Sequence, residues 1–482
     1  MNIRPAFAMP PWSRTVLVIA AAAALGACSV GPAYQRPSAP TSPAYKEAES
    51  GWLPAAPADA LDRGDWWTLF GDAELNRLAP QVEVSNQNVA AAVAAYAQAR
   101  ALVREQRAAL FPGVGLDGSV ARSGGGSGDG ARSTGNSFQL GLGASWEPDV
   151  WGRLGLAVTS AQAGAQASEA DLAAARLSAQ ALLATDYFAL READAEAALL
   201  RSTVEGYERA LKITQNGYDA GIVAKTDVLQ AQTALANARA DLASLIAQRA
   251  QLEHAIAVLV GQAPANFSLA AAEWTMTVPA VPLGVPSTLL QRRPDIASAE
   301  RAVAAANAQI GIQRSAYFPS FSLSGSYGLA SSRVGDLFNA SSSLWSIGFS
   351  VAQTIFDAGA IRARVAGAEA ARDASTARYR QTVLTAFQAV EDQLSATRAL
   401  GEQEALRRQA SAAADLTEQQ LLNRYRAGQV SYTDVVTAQA SALSARRTLV
   451  QLVNSRQASA VALIQALGGG WRAPDGPSIE TP

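Results

Sequence analysis

From residue 154 to 216 no proline interrupts the chain, and apolar positions recur in steps of three and four. Leu190, Ala193, Ala197, Leu200, Val204, Tyr207, Leu211, Thr214 and Tyr218 lie on this spacing, which predicts one long helix with a coiled-coil seam. A returning helix is predicted over 224–260, where Leu235, Ala238, Leu242, Leu245, Arg249, Leu252, Ile256 and Leu259 keep the same period. A shorter helix, 88–110, precedes them and is stopped by Phe111-Pro112-Gly113. Between the short and long helices the period changes to two. Val114, Leu116, Gly118 and Val120, then Phe138, Leu140, Leu142, Ala144 and Trp146, alternate with small or polar residues and predict two strands. Ser123–Gly130 reads as the flexible hairpin loop between them. As a phosphate loop it lacks both the Lys-Ser/Thr ending and the strand-to-helix context.

The pattern then repeats. Asn88–Pro112 aligns without gaps to Asp295–Pro319, an offset of 207. Tyr218-Asp219-Ala220-Gly221 matches Tyr425-Arg426-Ala427-Gly428, Thr226-Asp227 matches Thr433-Asp434, and Val260-Gly261 matches Leu467-Gly468, all at 207. Four anchors at one spacing define two copies of one architecture, 88–261 and 295–468. The second copy supplies strands at 321–329 and 345–351, a long helix at 361–423 with Val383, Phe387, Val390 and Leu394 on one face, and a return helix at 431–467. A 63-residue helix is roughly 95 Å long, too long for one globular domain to wrap. The short and return helices together come close to that length. The chain therefore predicts a hairpin end, a helical-tip end and an equatorial belt. The belt would gather the connector 262–290, residues 60–85 and the tail 469–482.

The predicted strands present an apolar side that includes Phe138, Trp146, Phe321, Tyr327 and Phe349. Four strands cannot close a transmembrane barrel, whose minimum is about eight. If they enter a bilayer, several chains must share one barrel; otherwise they form a small soluble cap on a helical stalk. At the start of the chain Arg4 and Arg14 precede the apolar run Thr15–Leu25, too short to span a membrane and suited to a signal peptide, 1–27. The run ends in Leu25-Gly26-Ala27-Cys28, which resembles a bacterial lipobox; a plain secretory signal with an unused thiol is the alternative. Ser29 after Cys28 fits the sorting pattern for the outer membrane.

Composition removes most other function classes. Lys plus Arg is 39 against 41 Asp plus Glu, a net charge of −2 that offers no basic face for nucleic acid. One Cys and one His leave little for disulfides, metal sites or Cys–His catalysis. His254 falls beside Leu252 and Ile256 and reads as a wall residue, and Glu300 reads as a helix-surface carboxylate with solvated or capping partners. No nucleophile motif and no metal-ligand spacing is present, so the chain is read as no enzyme, with no cofactor apart from lipid.

The lipobox, Asp65-Trp66-Trp67 with Phe70-Gly71-Asp72, Arg292-Arg293-Pro294-Asp295-Ile296 with Ala299-Glu300, Tyr317-Phe318-Pro319, the two Tyr-x-x-Gly tips and the duplication occur together. Across the mature chain this combination resembles the outer membrane factor of tripartite efflux systems, the lipoprotein branch of the TolC-like channels. The resemblance implies a mainly α fold with a small β part, a homotrimer with a twelve-stranded outer-membrane barrel, and a helical tunnel in the periplasm. It also implies an N-palmitoyl, S-diacylglycerol anchor on Cys28, with 28–85 leading from anchor to belt. Its partners would be outer-membrane lipid, a periplasmic adaptor and an inner-membrane pump of the resistance-nodulation-division type. The cargo would be drugs, toxic compounds or metal ions; a type I protein-secretion duct and a non-porous coiled-coil spacer are the rival readings.

In such a tunnel the tips carry the gate and the adaptor contact. The tip residues are Tyr218, Asp219, Gly221 and Asp227 in the first copy, and Arg424, Tyr425, Arg426, Gly428, Asp434 and Thr437 in the second. Gly221 and Gly428 fit left-handed helix ends. Thr226 and Thr433 fit N-caps, with Asp227 and Asp434 at the positive ends of the returning helices. Ion pairs among Arg424, Arg426, Asp219, Asp227 and Asp434 are the functional alternative to capping. The family often has an acidic residue a few positions beyond the second tip; here Thr437 holds that place and Asp434 is the neighbouring carboxylate.

Overall fold

The computed structural model describes residues 30–39, 44–47, 63–126, 132–279, 281 and 292–469. The signal segment, Cys28, Ser29, residues 280 and 282–290 of the connector and the tail beyond Gly469 lie outside the described residues. In chain order the elements are a 3₁₀ segment Arg63–Phe70, α1 (Ala73–Ser85), α2 (Gln87–Ala108), β1 (Gly113–Gly126), β2 (Arg132–Trp146), α3 (Arg153–Asp219) and α4 (Lys225–Leu259). The second copy follows as α5 (Pro294–Arg314), β3 (Ser320–Ser331), β4 (Ser343–Ala352), α6 (Ala360–Arg426) and α7 (Tyr432–Ala466). Both α3 and α6 have 67 residues, and both α4 and α7 have 35. The strands overrun the predicted loop. Ser123–Gly126 belong to β1, with Gly124 opposite Thr134 and Gly125 opposite Ser133, because a ladder pairs backbone groups and needs no side chains.

The chain divides into two compact units. The first holds the sheet, the helix ends that lead into it (Tyr96–Ser168 and Ser298–Tyr379) and the described N-terminal residues up to Ser38. Here the extended N-terminal strand of chain lies along α5. The Asn307 amide donates to the Pro32 carbonyl at 2.9 Å, and Gly31 packs on Gly311 and Leu156 so closely that Gly311 has no room for a Cβ. Tyr34 donates its hydroxyl to Glu300, whose other oxygen lies 3.0 Å from Arg301. Glu300 is thus buried and paired rather than solvated, because the N-terminal segment covers the helix face that the periodicity left open.

The second unit holds the remaining helices and the segments packed around them. Its core sets Trp66, Trp67 and Phe70, with Leu75, Leu78 and Val82 of α1, against Leu183, Tyr187 and Phe188 of α3 and Ile256 of α4. Leu269 and Val281 of the connector join it, as do Val390 of α6 and Ile464 of α7. Asp72 caps α1 by accepting from the backbone N–H of Glu74 and Leu75, and also accepts the Tyr187 hydroxyl at 2.7 Å. The connector is tied down by Gln457, fully buried, which accepts from the Trp274 indole and donates to the carbonyls of Thr275 and Thr277. Along the α3 seam Leu190 through Leu200 and Thr214 are buried, but Tyr218 is 40% exposed. The seam runs past its partner there, since the first buried residue of α4 is Val228.

Both copies close their return helices in one way. Asn86 donates to the Leu259 carbonyl at 2.9 Å, and Arg293, 207 residues later, donates to the Ala466 carbonyl at 2.9 Å. Gly261 (φ +72) meets the Ser85 carbonyl and Gly468 (φ +88) the Arg292 carbonyl, each with no room for a Cβ. Gly221 has the same φ of +72, but nothing lies within 4 Å of the place a Cβ would take, so the two sites separate conformational strain from crowding. Gly221→Ala is expected to cost about 1 kcal/mol, the left-handed penalty alone. Gly261→Ala is expected to cost about 2–4 kcal/mol, because the Ser85 backbone must also move. Thermal unfolding of the purified protein checks the order; equal losses would show that Gly261 is not held by Ser85.

Candidate functional site

The four strands form one antiparallel sheet in the order β1-β2-β3-β4. Alternation sends successive side chains to opposite faces, and the register gathers each parity into rows. One face reads Phe321–Val351, Trp146–Leu323–Phe349, Val114–Ala144–Gly325–Ile347, Leu116–Leu142–Tyr327–Trp345, Gly118–Leu140–Leu329–Ser343 and Val120–Phe138–Ser331. At about 3.4 Å per residue and a tilt near 40°, these rows span about 25 Å, the height of an outer-membrane barrel's apolar band. The face is uncovered: Trp345 is 75% exposed and Ile347 77%.

The opposite face is hydroxyl and glycine. Ser322 and Ser350 approach to 2.7 Å and Ser326 and Ser346 to 2.8 Å, while Ser320 and Ser324 donate across to Ala352 and Gly348 carbonyls. Asp117 and Gln139 lie on this side by register, with Gly141 opposite Gly328 and Gly143 opposite Ser326 of the neighbouring strand. A sheet with one hydrocarbon face and one hydroxyl face is built to part lipid from water. Its two outer strands, β1 and β4, have no partner on their free edges among the described residues of the single chain.

At the helix end of the sheet the aromatic residues interlock. Trp151 stacks on Phe318 (4.8 Å between ring centroids) and Phe321 (6.3 Å), and its indole donates to the Pro319 carbonyl at 2.6 Å. The Trp146 indole donates to the Leu110 carbonyl at 2.9 Å. Such rings suit a membrane–water boundary, apolar in body and polar at one edge. The Val30 amide lies 3.5 Å from the Trp151 carbonyl, so the chain two residues after Cys28 is beside this boundary.

The helical tips belong to the other unit. Gly221 and Gly428 take φ of +72 and +70. The Ile222 amide returns to the Gly217 carbonyl at 2.8 Å and the Gln429 amide to the Arg424 carbonyl at 2.9 Å, which closes both long helices in the same left-handed turn. The return helices begin differently from the prediction. Ala224 occupies the first N-cap with no side-chain bond, and Ser431 occupies the second. Ser431 and Asp434 bond each other's backbone N–H in a capping box. Thr226 and Thr433 therefore fall inside the first turn and cap nothing; the signal missed in the sequence is Ser431-x-x-Asp434 with the shorter acid in place of Glu. Asp219 accepts from Gln215, Thr433 donates to Gln230 on α4, and Thr437 donates to the Thr433 carbonyl.

Among the described residues of one chain, Arg424 and Arg426 form no ion pair with Asp219, Asp227 or Asp434, and both are exposed. The tip is held instead by an apolar cluster of Ala231, Tyr432 and Val435, with Leu211, Leu422, Tyr425 and Val436 packed on it. Tyr432, which the periodicity did not single out, is buried 5.3 Å from the Tyr425 ring, and burial pushes its hydroxyl pKa up to about 12. His254 is exposed on α4, away from any group of His, Cys, Asp and Glu that could hold a metal among the described residues.

This arrangement recurs in known proteins. The chain is 32% identical over 465 residues to the cation efflux system protein CusC of Escherichia coli, covering 95% of this chain and 99% of that one. It is 32% identical over 471 residues to the probable efflux pump outer membrane protein TtgC of Pseudomonas putida, covering 95% and 97%. Among solved structures, the outer-membrane channel OprN superposes with a TM-score of 0.81 at 32% identity over 93% of this chain and all of that one. The Campylobacter jejuni CmeC outer membrane channel gives 0.84 at 25% identity, over 93% and 96%. The family model for outer membrane efflux protein matches twice, at residues 78–262 and 285–469, the second match displaced by 207 at both ends, and the chain belongs to that family.

Proposed function

We propose that three copies of this chain close one twelve-stranded barrel in the outer membrane and act as the passive exit duct of a tripartite efflux system. The sheet carries this reading. Its apolar face has the height of a bilayer core, its other face is hydroxyl-lined, and four strands leave two edges whose N–H and C=O groups lipid cannot satisfy. Pairing β4 of one copy with β1 of the next removes every edge at once, and three copies of four strands give a barrel wide enough to leave a lumen. The helices of the other unit would line the periplasmic part of the duct.

Relatives bear names of cation, antibiotic and toluene efflux, so a wall of this kind serves chemically unlike cargo. Selection and energy then belong to an inner-membrane pump, reached through a periplasmic adaptor at the tips, and the chain itself does no chemistry. The position of Val30 beside the boundary tryptophan supports lipidation of Cys28, since acyl chains attached there would enter the leaflet directly. At the tip, Arg424 and Arg426 have no acidic partner among the described residues of their own chain, which leaves them to pair with Asp219, Asp227 or Asp434 of neighbouring copies and hold the aperture closed. Single solvated pairs contribute ~0–1 kcal/mol, and symmetry repeats them.

The two faces of the sheet give the decisive contrast. Leu116→Arg, in the middle of the apolar band, is expected to cost about 2–4 kcal/mol in the membrane and to abolish the trimer on a semi-native gel. Ser346→Arg, on the hydroxyl face, is expected to leave the trimer and to alter single-channel conductance. A trimer indifferent to Leu116→Arg, with conductance indifferent to Ser346→Arg, would leave the barrel reading without support. For the gate, Asp434→Ala combined with Arg424→Ala is expected to raise conductance in a planar bilayer. Ser431→Ala, which breaks the cap and keeps both charges, should not. If the two variants conduct alike, capping alone explains Asp434.

A further inference from the structure

The apolar face ends abruptly at its loop side. Beyond the row Val120–Phe138–Ser331, Arg122 stands opposite Asn136 on β2, and Arg333 lies two residues past Ser331 in extended backbone, φ −131 and ψ 137. By parity the Arg122 side chain falls on the apolar side of the sheet, while Arg333 stands at the same rim just past the end of β3, where the chain bends and its backbone N–H donates to the Ser331 hydroxyl at 3.2 Å. Both are exposed, and neither forms an ion pair among the described residues. The next carboxylate along the chain, Asp336, is engaged with Asn339. The rows at the helix end carry Trp146 and Phe321 instead, and Arg153, beside them, is paired with Glu147 at 2.7 Å. One row further along a strand tilted near 40° is about 5 Å along the membrane normal. That step moves a side chain from the acyl region to the level of the head groups, and a guanidinium snorkels the rest of the way.

We propose that Arg122 and Arg333 bind the phosphates of outer-leaflet lipid. The proposal rests on the barrel reading above, in which the loop end faces outward and three copies set six guanidiniums around one leaflet. Guanidinium is suited to this ligand because its planar fork can hold two phosphate oxygens at once, and it keeps its charge at any physiological pH. The apolar rows below supply the surface on which the acyl chains of the same lipid lie.

The full-length trimer, purified in detergent, is incubated with bisphosphorylated lipid A, with its dephosphorylated form, or with inorganic phosphate, and bound lipid is counted by native mass spectrometry. Bisphosphorylated lipid A is expected to bind the wild type, and Arg122→Gln with Arg333→Gln to weaken that binding about tenfold or more. Arg122→Lys with Arg333→Lys, which keeps the charge and loses the fork, is expected to fall between them. The dephosphorylated lipid should bind like the Gln variant. Equal retention by wild type and the Gln variant would overturn the proposal, as would displacement of the lipid by millimolar inorganic phosphate, which would make the site a free-anion site. Conductance of the same preparations separates the two readings. A wild type that forms no conducting trimer defeats the barrel itself; a conducting trimer with unchanged lipid binding defeats only the arginine site.

Discussion

A sheet whose one face is hydrocarbon and whose two edges are unpaired has no comfortable state as a single chain, in water or in lipid. Water penalises the exposed rows from Phe321 to Val120, and lipid penalises the unbonded N–H and C=O groups of β1 and β4. Assembly answers both penalties together, and much else in the chain is arranged around that need. The hydroxyl face lets the closed sheet enclose water. The aromatic cluster around Trp151, apolar in body and polar at one edge, suits the level where lipid would meet water. The N-terminal segment, laid along α5 through Pro32 and Tyr34, brings Val30 beside the same tryptophan.

The helical part solves a different problem, that of keeping very long helices in register with few large side chains. Its seams are filled by Leu and Ala at alternating steps, which allow close approach but little specificity. Specificity comes from polar fixtures set at intervals. Asp72 with Tyr187, Gln457 with the connector carbonyls, and Asn86 and Arg293 on the return-helix ends each join elements far apart in the chain. Buried hydrogen-bonded groups of this kind penalise a slipped register, because sliding by one turn would leave them unpaired.

The period-three-and-four and period-two patterns made the elements legible to within a few residues, since burial against a neighbour is what both the patterns and the elements express. Gly221 and Gly428 were legible because a left-handed turn at a helix end has few other solutions. What could not be seen was contact from outside the local pattern. Glu300 looks solvated until the N-terminal segment covers it, and Tyr218 looks buried until the partner helix proves too short. Ser431 was overshadowed by the threonine two positions on, although its capping box with Asp434 was present in the spacing. The reach of β1 and β2 into the glycine run was hidden because ladder pairing leaves no mark on side-chain composition. Arg122 and Arg333 acquire meaning only once the sheet brings them to one rim, Arg122 on the apolar face by register and Arg333 just past the end of β3.

The caps at Leu259 and Ala466 bear on how such a chain came to be. In each family match, 78–262 or 285–469, the residue that closes the last helix, Asn86 or Arg293, stands near the start of the same match, and the backbone of Ser85 or Arg292 touches the glycine that ends it. Every copy therefore brings its own stopper. Doubling a half-length gene would have created no unsatisfied helix end and demanded no new contact at the join, only a tether long enough to pass from one closed loop to the next. Later divergence could then proceed position by position, an amide becoming a guanidinium at the stopper, without either half ever having to relearn how to end.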